Sequence, residues 1–308
     1  PCTDITADTT WQRIKSPYIV NCSIYVRAGV TLTVEKGTIV KFGKSDARLQ
    51  IAGNLNAPAT DKLPVYFTSV KDDSILGDTN GDGVATSPQP GDWDGLRFDT
   101  GAQISLDHVK IKYATNGING PGHTGSKLIV KNSEVVNSKG RGIWTGSIGG
   151  PNSNPTSGTV EIRSSTVSDN GQEGIWIGGG DISYQVDNPT IPIIDSNTVE
   201  NNGNMGLRLS ARLVSAIVTN NKINSNVLDG INAWGLEAMP DIHDNQVNNN
   251  KGYAITTQFY SGGHSPAFYG NSGTGNAVNG IFLQGNIRLP TDFGLNQNLP
   301  FIFGQTDA

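Results

Sequence analysis

The chain has 308 residues, of which 35% are hydrophobic and 16% charged, with 39 glycines and a formal net charge of −5. An acidic chain without a basic cluster offers no electrostatic footprint for nucleic acid or an anionic membrane surface, and no apolar run approaches membrane-spanning length. The apolar residues are few but periodic, which excludes disorder and suits a narrow core with many turns.

Residues 1–26 read as an N-terminal cap, in which Trp11, Ile14, Tyr18 and Ile19 are available to cover the open end of a core. The only two cysteines, Cys2 and Cys22, both fall here. A disulfide between them is favoured over two reduced thiols; closing a loop of about twenty residues, it would stabilise the cap by roughly 3 kcal/mol and imply an oxidising compartment. The chain starts on Pro1 with no initiator Met and no signal peptide, as expected of a processed or trimmed chain.

Short bursts of apolar residues two apart follow: Val30-Thr31-Leu32-Thr33-Val34, Ile39-Val40-Lys41-Phe42, Leu49-Gln50-Ile51 and Val65-Tyr66-Phe67. This period predicts strands, and the gaps between them, Glu35-Lys36-Gly37 for instance, are turn-sized.

Within this stretch the string VRAGVTLTVEKGTIVKFG…LQIAGNLNAPATDKLPVYFTSVKDDS…GDTNGDG…PGDWDGLRF resembles a module of secreted and surface-attached bacterial proteins built as right-handed parallel β-helices of the pectin-lyase-like superfamily. The resemblance covers residues 1 to about 125 with specific motifs and continues to 286 as a generic β-helix repeat. It implies the fold and an extracellular location. It implies activity only weakly, because that superfamily includes lyases, hydrolases, adhesins and proteins with no known catalysis.

Residues 71–95 interrupt the strand rhythm with a polar insertion. Asp78-Thr79-Asn80-Gly81-Asp82-Gly83 matches the first half of a calcium loop, in which alternate oxygen donors converge and Gly permits the sharp turn. The twelfth position is Gln89 rather than a bidentate Glu. A calcium shell of Asp78, Asn80 and Asp82 would therefore need closing by Asp73, or by Asp72, Asp92 or Asp94. The alternative is a solvated acidic loop of Asp-Gly and Asn-Gly turns. A bound calcium would be structural, tying down a segment with no core of its own.

From 106 to 286 a small residue followed by an aliphatic one returns seven times: Gly117-Ile118, Gly142-Ile143, Gly174-Ile175, Gly206-Leu207, Gly230-Ile231, Ala254-Ile255 and Gly280-Ile281. The spacings are 25, 32, 32, 24, 24 and 26 residues. About ten residues upstream a second phrase keeps step, including Asn197-x-Val199-x-x-Asn202, Asn221-x-Ile223-x-x-Asn226 and Asn245-x-Val247-x-x-Asn250. Each unit holds two or three strand-sized bursts, such as Val109-Lys110-Ile111, Leu128-Ile129-Val130 and Val160-Glu161-Ile162, with no room for a crossover helix. A coil of short strands stacked in parallel about 4.8 Å apart satisfies this repeat. Recurring Asn would then form amide ladders and accept left-handed turns, and the Gly of the refrain would supply positive φ at a corner. The surplus in the two longest units is expected to loop out at one corner, at 146–158 and 178–192.

The expected architecture is thus all-β: a single-stranded right-handed parallel β-helix over 27–288, between the cap and a final stretch, 289–308. That final stretch is either a C-terminal cap or the start of a further module, since Pro300-Phe301-Ile302-Phe303 echoes Pro17-Tyr18-Ile19-Val20. If the refrain's aliphatic residue points inward, the next one points out, giving an outward column of Asn119, Trp144, Trp176, Arg208, Asn232, Thr256 and Phe282. Flat rings suit the C–H faces of sugars, and Arg and Asn suit hydroxyls or uronate carboxylates. Arg141, Glu173 and Asp229 lie at neighbouring corners, and Trp234 belongs to the same face or its rim. The competing reading buries Trp144 and Trp176 beneath the insertions as a second small core.

Catalytic signals are weak. Glu173, Asp229 and Arg208 are the candidates for lyase or hydrolase chemistry, but Gly122-His123-Thr124 is not the Gly-His-Gly of polygalacturonases. His108, His123, His243 and His264 share no metal-ligand spacing. The favoured expectation is a secreted or surface-displayed protein that binds carbohydrate or another surface through Arg141, Trp144, Trp176, Arg208 and Asn232, as part of an adhesive protein and without catalysis. A polysaccharide lyase or hydrolase is the alternative, and a structural spacer or self-assembling filament subunit the second.

Overall fold

The computed structural model describes residues 2–120, 126–148, 159–179, 191–210, 216–235, 240–264, 266–287 and 294–304. Within them the chain winds as a coil, each full turn adding one short strand to each of three parallel sheets of ten, ten and eleven strands. The first sheet begins at Thr9–Trp11, the second at Tyr18–Val20 and the third at Ser23–Val26. Strands such as Thr31–Val34 alternate half-buried and buried positions, as period two requires.

The core is a set of stacked columns. The first sheet sends in Leu32, Leu55, Ile104, Leu128 and Val160, each paired in register with the next. The second sends in Val135, Val167, Val199, Ile223 and Val247, and the third Ile143, Ile175, Leu207, Ile231 and Ile255. Burying one such side chain contributes roughly 1.5–3 kcal/mol. Because each touches its equivalents above and below, the core has no centre and grows by the coil.

Two asparagine ladders run beside the second sheet. In one, Asn197, Asn221, Asn245, Asn271 and Asn296 follow each other; the backbone N–H and Nδ2 of each donate to the Oδ1 of the next at 2.9–3.1 Å. In the other, Asn170, Asn202, Asn226, Asn250 and Asn276 do the same at 2.9–3.2 Å, ending on Asn279. All of these amides but the terminal Asn296 and Asn279 are buried, and a second amide proton reaches a backbone carbonyl, as from Asn221 to Ile194 O at 2.9 Å. The left-handed backbone belongs to the residue just before: Asp169, Asn201, Ser225 and Asn249 in one ladder, Ser196, Asn220 and Asp244 in the other. Laddering and turning, expected of one Asn, are divided between two neighbouring positions.

The refrain glycines also differ from expectation. Gly117, Gly142, Gly174, Gly206, Gly230 and Gly280 are not among the positive-φ residues. They are needed for space: a Cβ on Gly142 would lie 2.5 Å from Val167 Cγ1, and one on Gly230 2.2 Å from Val247 Cγ1. The exception follows from the same contact, since the position after Val247 in the second-sheet column is Gly273, in the coil that Ala254 faces. Where the neighbour loses its side chain, the refrain can gain one.

Stretches 121–125, 149–158, 180–190, 211–215, 236–239 and 265 all lie between a third-sheet strand and the next strand of the first sheet. The expected insertions fall largely there, outside the described residues; the register slips by one residue between Thr145 and Ile148 as the chain leaves the third sheet, and the first-sheet strands that follow are back in phase.

At the N-terminal end Trp11 is buried and stacks on Tyr18, centroids 5.0 Å apart, while Cys2 and Cys22 form the expected disulfide with Cα atoms 5.8 Å apart. Ile14, expected to cover the core, is 89% exposed on a short 3-10 turn, and Ile5 packs there instead. At the other end Phe301–Phe303 joins the third sheet, whereas Tyr18–Val20 lies in the second, so the two similar phrases occupy different places in their coils. Among the described residues no helix is long and apolar enough to cross a membrane.

Candidate functional site

The third sheet carries the outward column. Asn119 pairs with Trp144, Trp144 with Trp176, Trp176 with Arg208, Arg208 with Asn232, Asn232 with Thr256 and Thr256 with Phe282. Trp144 and Trp176 are half-buried, their ring centroids 5.7 Å apart and planes 29° apart. The Arg141 guanidinium carbon lies 4.9 Å from the Trp144 centroid and 4.3 Å from that of Trp176, and the Arg208 carbon lies 4.5 Å from Trp176. Two cations thus share one indole, an arrangement stabilised by the ring quadrupole.

Glu173 holds this group together. It is 2% exposed; one oxygen accepts from Arg141 Nε at 3.0 Å, the other from Asn204 Nδ2 at 3.1 Å and, more distantly, from Arg208 Nη1 at 3.5 Å. A buried carboxylate between two guanidinium groups acts as a counter-ion that fixes their orientation. Asp229, two coils on at the same corner, accepts from Tyr253 N at 2.9 Å and Asn232 Nδ2 at 3.3 Å. Neither carboxylate faces the other as a pair. Trp176 Nε1 donates to Ser210 Oγ, and Trp234, beside Ser210 in register, is 43% exposed on the same face. Ser210 was legible, being two residues beyond Arg208 on a strand; Asn204 lies in a turn and carried no signal.

Arg97 Nε, Asn119 Oδ1, Arg208 Nε and Thr256 Oγ1 are buried polar atoms with no hydrogen-bond partner among the described residues, and all belong to this one column. The ribbon therefore combines aromatic surface with buried donors and acceptors that no described residue satisfies.

A second group lies in the insertion. Asp73, Asp78 and Asp82 each offer a carboxylate oxygen, all within 4.8 Å of one another. Asp78 accepts the backbone N–H groups of Gly83 and Gly81, each at 2.7 Å, and of Asp82 at 3.2 Å. These bonds, that from Gly83 foremost, hold its carboxyl below the usual carboxylate range. Asn80 Nδ2 donates to Asp82 at 2.8 Å. Asp73 Oδ1 and Asp82 Oδ1 are buried atoms with no hydrogen-bond partner among the described residues, and a set of hard carboxylate oxygens with spare lone pairs fits a calcium ion. The other residues considered for this shell are engaged elsewhere: Asp72 with Thr68 and Ser74, Asp92 with Ser69 and Lys71, and Asp94 with Arg48.

Where the first and second sheets meet, a pocket of about 190 Å³ is lined by Asp61, His108, Lys110 and Glu134 among others. Lys110 and Lys112 both pair with Glu134, at 3.0 and 3.1 Å. Of the other histidines, His243 stacks on Tyr269 at 4.6 Å; His123 and the side chain of His264 lie outside the described residues.

Comparison with solved structures finds the A-module of mannuronan C-5 epimerase AlgE6 from Azotobacter vinelandii, with 12% identity, 92% of this chain and 86% of that one covered, and a TM-score of 0.36. It also finds the periplasmic alginate epimerase AlgG, with 14% identity, coverage of 92% and 77%, and a TM-score of 0.38. Similarities of this size say nothing about what the present chain binds. No curated protein matches the sequence. A family model described as "Right handed beta helix region" matches residues 94–255 and 151–289. With three parallel sheets in continuous register and a family match over more than half its length, the chain belongs to the right-handed β-helix family.

Proposed function

We propose that this chain is a secreted or cell-surface β-helix that binds polysaccharide along the third-sheet ribbon without converting it, within an adhesive protein. The carrying observation is the stacked pair Trp144 and Trp176, half-buried on the third sheet and flanked by Arg141 and Arg208. Sugars offer C–H faces to such rings and hydroxyl or carboxylate groups to the flanking Arg and Asn. The carboxylates nearest the ribbon, Glu173 and Asp229, are held by local partners, which supports binding over catalysis. The disulfide in the cap supports an oxidising compartment.

A glycan array read alongside product release tests this. Retention without new reducing ends or unsaturated uronate is the expected result; release of either product would replace it with lyase or hydrolase activity, and length-dependent assembly without retention would leave a structural spacer.

The same reading includes a structural calcium ion held by Asp73, Asp78 and Asp82, with Asn80 in the loop. Two unpaired buried oxygens support it. Bound there, calcium would supply a positive charge that all three carboxylate oxygens could coordinate directly.

A further inference from the structure

Lys41 lies in the second-sheet strand Ile39–Phe42, in register with Ile19 on one side and Thr68 on the other. Its neighbours Val40 and Phe42 are buried, and Lys41 itself is fully buried. A charged amine is rarely taken out of water without complete compensation. Here the compensation comes from the insertion: Nζ donates to Asp72 O at 2.9 Å, Gly77 O at 3.1 Å and Thr79 Oγ1 at 2.9 Å, one acceptor for each proton. The Thr79 hydroxyl in turn donates to Val70 O at 3.1 Å. Burial pulls the Lys41 amine below its usual range, while the carboxylates of Asp72, Asp73 and Asp78 oppose that pull.

The three acceptors bracket residues 72–79, the stretch that brings Asp73 alongside Asp78 and Asp82. We propose that Lys41 is a built-in cation that holds the insertion in the shape a divalent cation requires, a positioning residue that never touches the metal. The proposal rests on the calcium reading above. A loop already fixed by Lys41 does not have to be ordered when the ion arrives, so the entropy cost of ordering it is met during folding. The ammonium would repel a cation through open solvent, but it is sealed among oxygens, and that weak repulsion is outweighed by the order it imposes.

The test uses chelator-stripped protein and measures calcium affinity by calorimetry, thermolysin cleavage within 71–95 in chelator, and melting temperature, for the unaltered chain, Lys41→Met, Lys41→Arg and Thr79→Val. Thr79→Val keeps the shape of the side chain and removes both the acceptor for Lys41 and the donor to Val70 O, so it breaks the Lys41 link and reports even if Lys41→Met fails to fold. The unaltered chain is expected to take up one calcium. Lys41→Met and Thr79→Val should bind it about tenfold or more weakly, as for changes to groups that orient metal ligands, and be cleaved faster in chelator with little change in melting temperature. Lys41→Arg, which keeps a cationic donor, should recover part of the affinity. An unaltered chain that takes up no calcium overturns the calcium reading and this proposal with it. Normal calcium affinity in Thr79→Val and Lys41→Met overturns the role of Lys41 alone, as does weaker binding confined to Lys41→Met with an equally large fall in melting temperature.

Discussion

The indole of Trp176 stacks on that of Trp144 one coil away, their centroids 5.7 Å apart, with the Arg141 guanidinium within 5 Å of both. If this pair serves a ligand, Trp144→Ala and Trp176→Ala should each reduce retention on a bound glycan about tenfold, a change of roughly 1.4 kcal/mol, while the melting temperature moves by no more than about 2 °C. Affinity electrophoresis beside calorimetry separates the two quantities. Parallel loss of both would assign the rings to packing.

The ladders make a different demand. Asn226 Oδ1 accepts from Asn202 N at 3.1 Å and from Asn202 Nδ2 at 3.0 Å, and Asn226 Nδ2 donates to Val199 O and Asn250 Oδ1. Asn226→Ala therefore orphans several buried polar groups and should cost about 2–4 kcal/mol, at 1–3 kcal/mol for each group left unsatisfied and partial relaxation of the rest. Asn220→Gly, at an exposed left-handed turn, should cost under about 0.5 kcal/mol. Urea unfolding of the two variants decides; equal costs would show that the ladder adds nothing beyond turn geometry.

Steric pairing predicts a coupled outcome. Gly230→Ala drives a methyl toward Val247 and should destabilise by about 1–3 kcal/mol. Combined with Val247→Gly, which copies the natural Ala254 and Gly273 pairing, it should cost less than the sum of the single changes by 0.5 kcal/mol or more, on the order of coupling between touching residues. Strict additivity in a double-mutant cycle would remove the contact as the reason for glycine.

Glu134 gives a pH signature. Burial raises its carboxyl pKa, but Lys110 and Lys112 together outweigh that and hold it below the ordinary value of 4.5. A carboxyl lowered by folding contributes stability that is complete above its unfolded value and is lost as pH falls through the folded one. Glu134→Gln should thus be less stable than the unaltered chain at pH 7, by about 1 kcal/mol at most for this partly exposed pair, and the gap should close below about pH 4. Chemical unfolding at pH 7 and pH 3.5 checks it; a gap that persists at the lower pH would place its cause outside the ion pair.

Sequence periodicity disclosed the coil, its phase and the identity of the outward column, because a strand's two faces alternate strictly and one phrase per coil sets the phase. The reasons behind the phrase were less legible. That Gly142 answers to Val167 depends on which coil lies against which, a long-range fact that local spacing does not carry. The split between the turning residue and the laddering Asn was hidden because both positions favour the same polar types. Glu173 was visible as a corner acid but not as the anchor of two arginines, since one of those partners lies 35 residues away. The closing acid of the insertion was undecided among four candidates, because a loop of that length folds back by contacts, such as that of Lys41, which begin outside it.

One corner of the coil absorbs extra chain while the strands on either side keep phase: Ile143 and Ile175 pair as directly across a 32-residue unit as Leu207 and Ile231 do across one of 24. Length and register are therefore independent variables in this molecule. The link from a third-sheet strand to the next first-sheet strand is a splice point, at which units differ in length without re-indexing the pairs of the stack, and two such links follow the strands that carry Trp144 and Trp176. A lineage, or an engineer, could change the length of these links while leaving the pairing of Trp144, Trp176 and Arg208 intact.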